Sequence, residues 1–119
     1  MIRVVHLFDV KDGVSEQAFI EWLDGKLGEV TRHFGCLERR TWQLLDGFEG
    51  SYTQPRSLHG RPKYVIEAYW PEAAAANRFR EWLTGTEEGR HVHDRWFSSM
   101  ENHTVLRYVE GWSRVAMDE

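Results

Sequence analysis

Six histidines are the side chains of this chain that are best suited to proton transfer near neutral pH. His6 lies inside an apolar stretch, Ile2–Val10, that alternates as a β-strand does. If Val4 and Phe8 face a cavity, His6 faces it too, and its imidazole could bind a ligand or act as a general base. The same pattern also fits a buried histidine that hydrogen-bonds a backbone carbonyl group. His6 is therefore a candidate site residue, with a structural role as the alternative.

A second group of histidines lies near the end of the chain. His91 and His93 are two residues apart in a predicted helix, so their side chains diverge by about 200° and cannot share one metal ion. A two-histidine metal site would need one of them together with His6 or His103. We predict no metal site, and solvent exposure for His93.

Aromatic and basic side chains could bind a ligand or serve the fold. Five tryptophans could line a pocket for a flat molecule, although core packing explains most of them first: Trp42, Trp70, Trp82, Trp96 and Trp112. Three arginines in predicted strands could pair with Glu38 and Glu67 or bind an anionic ligand: Arg39, Arg40 and Arg107. Cys36 has no evident base beside it in sequence, so we expect no thiolate catalysis.

A seven-residue segment occurs twice and marks the elements that would position these side chains. Residues 19–25 and 79–85 agree at five of seven positions. In both, Phe, Trp and Leu fall at i, i+3 and i+4, which is one face of an α-helix. A strand-like stretch precedes each copy, Ile2–Val10 and Tyr64–Trp70. The pattern favours a duplicated strand–helix unit over a chance similarity between two amphipathic helices.

The other segments complete a single α+β domain, residues 1–119. Apolar alternation predicts strands at Ile2–Val10, 36–45, Tyr64–Trp70 and 104–115, and helical spacing predicts helices at 16–34, 71–83 and 87–100. Residues 46–62 are rich in Gly and Pro and predict an irregular loop. Two βαβ units in tandem give a ferredoxin-like βαββαβ fold with an extra short helix.

One face of the predicted four-stranded sheet has no helix to cover it. We assign an apolar set to this face: Val4, His6, Phe8, Tyr64, Ile66 and Ala68. A patch of this kind marks an interface or a ligand site. We therefore predict a homodimer in which two sheets face each other as an α/β barrel, with a cavity between them for a small aromatic ligand. Phe8, Tyr64 and Ile66 are the candidate ligand-binding residues.

Several segments, which together span most of the chain, resemble the dimeric α/β-barrel superfamily and, within it, the antibiotic-biosynthesis-monooxygenase-like proteins. The matching segments are Phe34-Gly35, Gln43-Leu44-Leu45, Glu67-Ala68-Tyr69-Trp70, Phe79-Arg80-Glu81-Trp82-Leu83 and His91-Val92-His93. The superfamily includes cofactor-independent quinol oxygenases and haem-degrading enzymes. In the haem-degrading members a strand-1 Asn, a helix-2 Trp and a His of the next helix surround the haem. The corresponding residues here are His6, Trp82 and His91.

The resemblance implies a monooxygenase-type enzyme that holds a planar aromatic or quinol-like molecule in a buried pocket. His6 and His91 are then the candidate catalytic residues, and Trp82 contributes to the pocket. No cofactor is predicted, with haem binding left open. The alternative is a non-catalytic homodimer that binds a small apolar ligand or serves as a structural module. Polar groups that converge in the cavity would favour chemistry, and a wholly apolar cavity would favour binding alone.

Charge and composition limit the partners and the location. The formal net charge is -4 and the basic residues are scattered, which argues against nucleic acid as a partner. Cys36 is the only cysteine, so no intrachain disulfide forms and the cytoplasm is the expected location. No signal peptide is expected, because no basic region followed by an apolar core opens the chain. No membrane partner is expected either, because no apolar run approaches about 20 residues.

Overall fold

The computed structural model describes residues 1–111, and its elements follow the predicted order. The strands are β1 (Ile2–Val10), β2 (Glu38–Gln43), β3 (Glu49–Ser51), β4 (Gln54–Arg56), β5 (Tyr64–Trp70) and β6 (Met100–Val109). The helices are α1 (Glu16–Trp22), a π-helical turn (Leu23–Leu27), α2 (Gly28–His33), α3 (Ala73–Gly85) and α4 (Glu87–Ser98). Within this range no helix is long and apolar enough to cross a membrane. The end of the predicted strand 104–115, with Trp112, lies outside the described residues.

Four strands form one antiparallel sheet in the order β2-β5-β1-β6. The central strands β1 and β5 pair from Ile2 opposite Trp70 to Phe8 opposite Tyr64. The helices pack on one face of this sheet and share a single hydrophobic core with it. This arrangement is the ferredoxin-like βαββαβ topology with α4 as the extra helix. The predicted fold class is confirmed.

The first helical segment changes its hydrogen bonding midway. Ser15 caps its start, where the Ser15 hydroxyl oxygen accepts the Ala18 N–H at 3.2 Å. The predicted helix 16–34 is then interrupted by the π-helical turn, which contains Gly25, a residue of low helix propensity. There the Gly28 N–H donates to the Leu23 carbonyl oxygen, five residues back.

The repeated segment folds in the same way twice. Its Phe and Leu side chains are all buried in the core: Phe19, Leu23, Phe79 and Leu83. The Phe19 and Trp22 rings lie 6.1 Å apart at 15°, and the Phe79 and Trp82 rings lie 6.4 Å apart at 20°. The predicted apolar face of each helix is therefore the face that packs on the sheet.

The join between α3 and α4 is a close backbone contact. A Cβ atom on Gly89 would lie 1.9 Å from the carbonyl oxygen of Trp82. The same oxygen accepts the Thr86 hydroxyl at 2.9 Å, and the Thr86 hydroxyl oxygen accepts the Gly89 N–H at 2.9 Å. Only glycine fits this contact. It fixes the direction in which α4 leaves α3.

The helix-covered face of the sheet is the one that the sequence analysis assigned to the open side. Phe8 is 0% exposed, Ile66 1% and Tyr64 7%, and all three belong to the core shared with the helices. Their predicted place on the uncovered face is wrong. Residues such as Val5 and Val65 make the opposite face of β1 and β5 apolar as well. Alternation therefore predicts two faces without indicating which one the helices cover.

The face without helices carries the alternate set of residues. Trp42 pairs with Val65, and Leu106 pairs with Val5, on this side of the sheet. Trp42, Leu106 and Tyr108 are 49%, 40% and 47% exposed. An uncovered apolar face exists as predicted, but other residues form it.

Residues 46–62, predicted to be irregular, contain a small hairpin. Strands β3 and β4 pair as a separate two-stranded sheet. Gly50 has φ +88°, and a Cβ atom there would lie 2.7 Å from the Gln54 carbonyl oxygen, so the turn requires glycine. The sequence did not predict these strands because three residues are too few to show a period.

Candidate active site

A cavity of about 380 Å³ lies inside the chain, between the sheet and helices α3 and α4. Small-molecule sites have volumes of roughly 300–1,000 Å³. The sequence analysis placed the cavity between two subunits. The structure has a cavity within the chain, because the face that carries His6 is the covered one.

The floor of the cavity consists of two neighbouring rows of residues across the sheet. The first row holds Arg39, Ala68, Val4 and Arg107, and the second holds Thr41, Ile66, His6 and Val105. All of these except Thr41 line the cavity. The first row has an arginine at each edge of the sheet, and the second row has His6 on the central strand β1.

Aromatic side chains of α4 form much of the roof. The Trp96 ring lies 4.7 Å from the His6 ring, and the Phe97 ring meets Trp96 edge to face at 5.1 Å. His93 stacks on Phe97 at 4.2 Å and also lines the cavity. A flat ligand entering this space meets aromatic rings on the helix side and aliphatic side chains on the sheet side.

His6 is hydrogen-bonded to a second histidine. Its Nδ1 atom lies 2.8 Å from Nε2 of His103. The ring planes differ by 9° and the ring centroids are 5.1 Å apart. Since the nitrogens touch at that centroid separation, the rings meet edge to edge in nearly one plane. Within residues 1–111 no group hydrogen-bonds the other ring nitrogen of His6, Nε2. That nitrogen is available to a molecule in the cavity.

A β-bulge lies directly beside His103. The pairing of β1 and β6 is regular as far as Leu7 opposite Thr104, then shifts so that Asp9 faces Glu101. One residue of β1 is thus opposed by two of β6, Asn102 and His103, and Asn102 has φ +50°. Bulges re-aim side chains next to functional sites, and Asn tolerates this conformation better than most residues.

Both histidines are held in the neutral form. Burial, then His103 and then the Arg39 charge lower the pKa of His6 to about 3. Burial also lowers the pKa of His103. At neutral pH a single proton therefore lies between the two rings, and either ring can donate it to the other.

Two further polar groups in the cavity wall lack partners. The Asn77 carboxamide oxygen and the Trp96 indole nitrogen are buried without a hydrogen bond in the described part of the chain. Both residues line the cavity. A buried polar group left unpaired costs about 1–3 kcal/mol, so groups of this kind are usually satisfied by water or a ligand.

The sequence candidates lie in different places. His6 and Ile66 line the cavity. Phe8 and Tyr64 stack on each other at 5.6 Å in the core beside it, and the Tyr64 hydroxyl donates to Glu16 at 2.8 Å. These two belong to the packing of the sheet and do not line the cavity.

The helix candidates lie outside the cavity lining. Trp82 packs against Phe34 and Phe79, behind the cavity wall. His91 is exposed on α4, while His93, predicted to be solvated, lines the cavity. Spacing could have shown this, because His93, Trp96 and Phe97 stand at i, i+3 and i+4. Because His91 is exposed and does not line the cavity, these residues do not fit the axial ligation of haem that the resemblance left open.

Comparisons with known proteins identify the fold. No family model matches the chain, and no curated protein matches its sequence. The hydroxynitrile lyase from Passiflora edulis superposes with TM-score 0.67 at 14% identity, covering 96% of each chain. A dimeric ferredoxin-like protein of unknown function from Jannaschia sp. CCS1 gives 0.65 at 12%, covering 92% of this chain and 98% of its own. A putative antibiotic biosynthesis monooxygenase from Deinococcus radiodurans gives 0.51 at 12%, covering 99% and 100%. The resemblance drawn from the sequence is confirmed for the fold.

Proposed function

We propose that this protein is an enzyme in which His6 removes a proton from a small planar aromatic molecule, such as a quinol, held in the cavity. The single observation that carries the proposal is the His6–His103 pair at the floor of a largely apolar, aromatic cavity. Loss of the proton leaves an electron-rich anion that reduces dioxygen. One oxygen atom forms a bond to a ring carbon, the O–O bond breaks, and the other oxygen leaves as water with two hydrogen atoms of the quinol, which becomes a hydroxyquinone. A structural neighbour bears the description of a putative monooxygenase.

The pair reduces an energetic problem that His6 alone would have, although burial also lowers the pKa of His103. A phenolic hydroxyl has a pKa of about 10. Complete transfer of its proton to a base whose pKa is about 3 would be uphill by roughly 10 kcal/mol. If His6 Nε2 accepts the proton while His6 Nδ1–H passes its own proton to His103 Nε2, no charge stays on the buried ring. The charge then rests on His103, which is less buried than His6.

The same first step fits a second activity found on this fold. Removal of a hydroxyl proton begins the cleavage of a hydroxynitrile as well as the oxidation of a quinol, and one neighbour is a hydroxynitrile lyase. The aromatic lining, with Trp96 and Phe97 above His6, favours a flat conjugated substrate. We therefore place the quinol-type reaction first.

We also propose that the protein is a homodimer, as the description of a neighbour states for that protein. Among residues 1–111 no helix covers the face that carries Trp42, Leu106 and Tyr108, and these three side chains are 40–49% exposed. Assembly through this face would leave the cavity of each chain on the opposite side of its sheet. The cytoplasmic location stays a prediction.

The test is oxygen uptake with a panel of dihydroxynaphthalenes, comparing the wild type with His6→Gln and His91→Gln. We expect His6→Gln to lower kcat by roughly 10²–10⁴ with little change in substrate affinity, because a positioned base contributes that much. His91→Gln is the matched control, an exposed histidine outside the cavity, and keeps the wild-type rate. If these compounds bind saturably but neither the wild type nor the variants turn them over, the result would instead support the non-catalytic binding protein.

A further inference from the structure

The charges around the cavity are strongly unequal. Three arginines line it, Arg39, Arg80 and Arg107, and no Asp or Glu of the described residues does. The whole chain has the opposite bias, with 19 acidic and 15 basic residues. An excess of positive charge at an apolar cavity favours an anion as the bound molecule.

Two of these arginines stand at the ends of one floor row. Arg39 pairs with Ala68, Ala68 with Val4, and Val4 with Arg107. Neighbouring strands are about 4.8 Å apart, so the two arginine backbones stand about 14 Å from each other. The small residues between them leave room for a flat molecule, with a guanidinium group at either side.

Arg39 is anchored in this position. Its Nη1 atom donates to the Leu23 carbonyl oxygen at 2.7 Å, at the π-helical turn. This contact uses one of the five N–H groups that a guanidinium carries.

Arg39 has no ion-pair partner among residues 1–111. Burial lowers the pKa of Arg39, and the opposing effects of Cys36 and Asp24 do not cancel this shift. The neighbouring Arg40, on the open face, bonds Glu38 at 2.7 Å. The sequence alone allowed Arg39 and Arg40 either to form ion pairs or to bind an anionic ligand. In the structure Arg40 forms an ion pair and Arg39 lines the cavity. Arg39 is partly buried in the cavity wall, and a partly buried cation without an ion pair favours a ligand that supplies a negative charge.

We infer that the ligand of the cavity is a planar aromatic carboxylate, whose carboxylate group binds Arg39 while Arg107 stands at the other edge of the floor. The fork of a guanidinium matches a carboxylate with two parallel hydrogen bonds. This inference deepens the proposed function and rests on it only in taking the same cavity as the ligand site.

The experiment is calorimetric titration of the full-length protein with 2-naphthoate and with 2-naphthamide, which share a shape and differ in charge. We expect the wild type to bind the acid at least tenfold more tightly than the amide. Arg39→Gln should remove this difference, and Arg39→Lys should keep part of it, because lysine retains the charge but not the fork. Arg40→Gln, on the opposite face, should keep the full preference.

Equal affinity of the wild type for the two compounds overturns the inference, as does a preference that survives in Arg39→Gln or a failure of both compounds to bind. The wild-type comparison holds even if Arg39→Gln does not fold. Oxygen uptake that depends on His6 without any preference for the acid would leave the proposed function standing and remove the inference. A preference for the acid without turnover would support the inference and remove the proposed function.

Discussion

The burial of His6 predicts a specific loss of stability in acid. Its pKa is about 3 in the folded chain, whereas an unperturbed imidazole, as in the unfolded chain, has a pKa of 6.5. Between these values the unfolded chain binds a proton that the folded chain does not, so stability falls as the pH falls from about 6.5 toward 3. The slope approaches 1.36 kcal/mol per pH unit, and the loss between pH 7 and pH 5 is about 2 kcal/mol.

Urea unfolding at pH 7 and pH 5 measures this loss, at one protein concentration so that assembly does not change the result. We expect His6→Gln to reduce the loss by about 2 kcal/mol, because glutamine does not titrate. Burial also lowers the pKa of His103, so His103 destabilises the folded chain in the same pH range. Part of the stability loss therefore stays in His6→Gln. His91→Gln should behave as the wild type does. An equal loss in His6→Gln and wild type would refute the reasoning that His6 is buried and neutral.

Three further predictions concern packing and assembly. Phe8→Ala should lower the free energy of unfolding by about 3–5 kcal/mol, because Phe8 is fully buried, and a change under 1 kcal/mol in urea unfolding would contradict its place in the core. Gly89→Ala should lower the melting temperature, since the added Cβ would meet the Trp82 carbonyl at 1.9 Å, and an unchanged value would refute that contact. Leu106→Glu should shift the mass in light scattering from two chains toward one while the far-ultraviolet circular dichroism stays the same, and a wild type with the mass of one chain would remove the proposed dimer.

Much of the fold was predictable because its rules are local. Strand β5 has the predicted bounds, Tyr64–Trp70, since a run of apolar residues there ends at Pro71. The Phe, Trp and Leu spacing of the repeated segment predicted which sides of α1 and α3 would be buried. Alternation and helical spacing are properties of a few neighbouring residues, so a single sequence contains them.

The site depends on relations that are not local. Which face of the sheet the helices cover was mistaken, because the other face of β1 and β5 is partly apolar as well. That face carries Val5, Leu7 and Val65 beside Arg3 and Glu67. His103 reaches His6 because β6 pairs with β1 in a register that sets Val105 opposite His6, and neither strand alone indicates that register. His6 itself was found by its place in a strand, while its partner lies 97 residues away.

The period of two in the strands gives the two faces separate roles. On β2, Arg39 lines the cavity and Arg40 lies on the open face beside Trp42. On β6, Arg107 lines the cavity and its neighbour Leu106 lies on the other side. We therefore expect a substitution on the open face to weaken the proposed dimer without touching the cavity, and a substitution one residue along the chain to alter the cavity without touching that face. Loss of turnover in Leu106→Glu would mean that the two faces are coupled through the sheet, whereas retained turnover in a single chain would show that each cavity works alone.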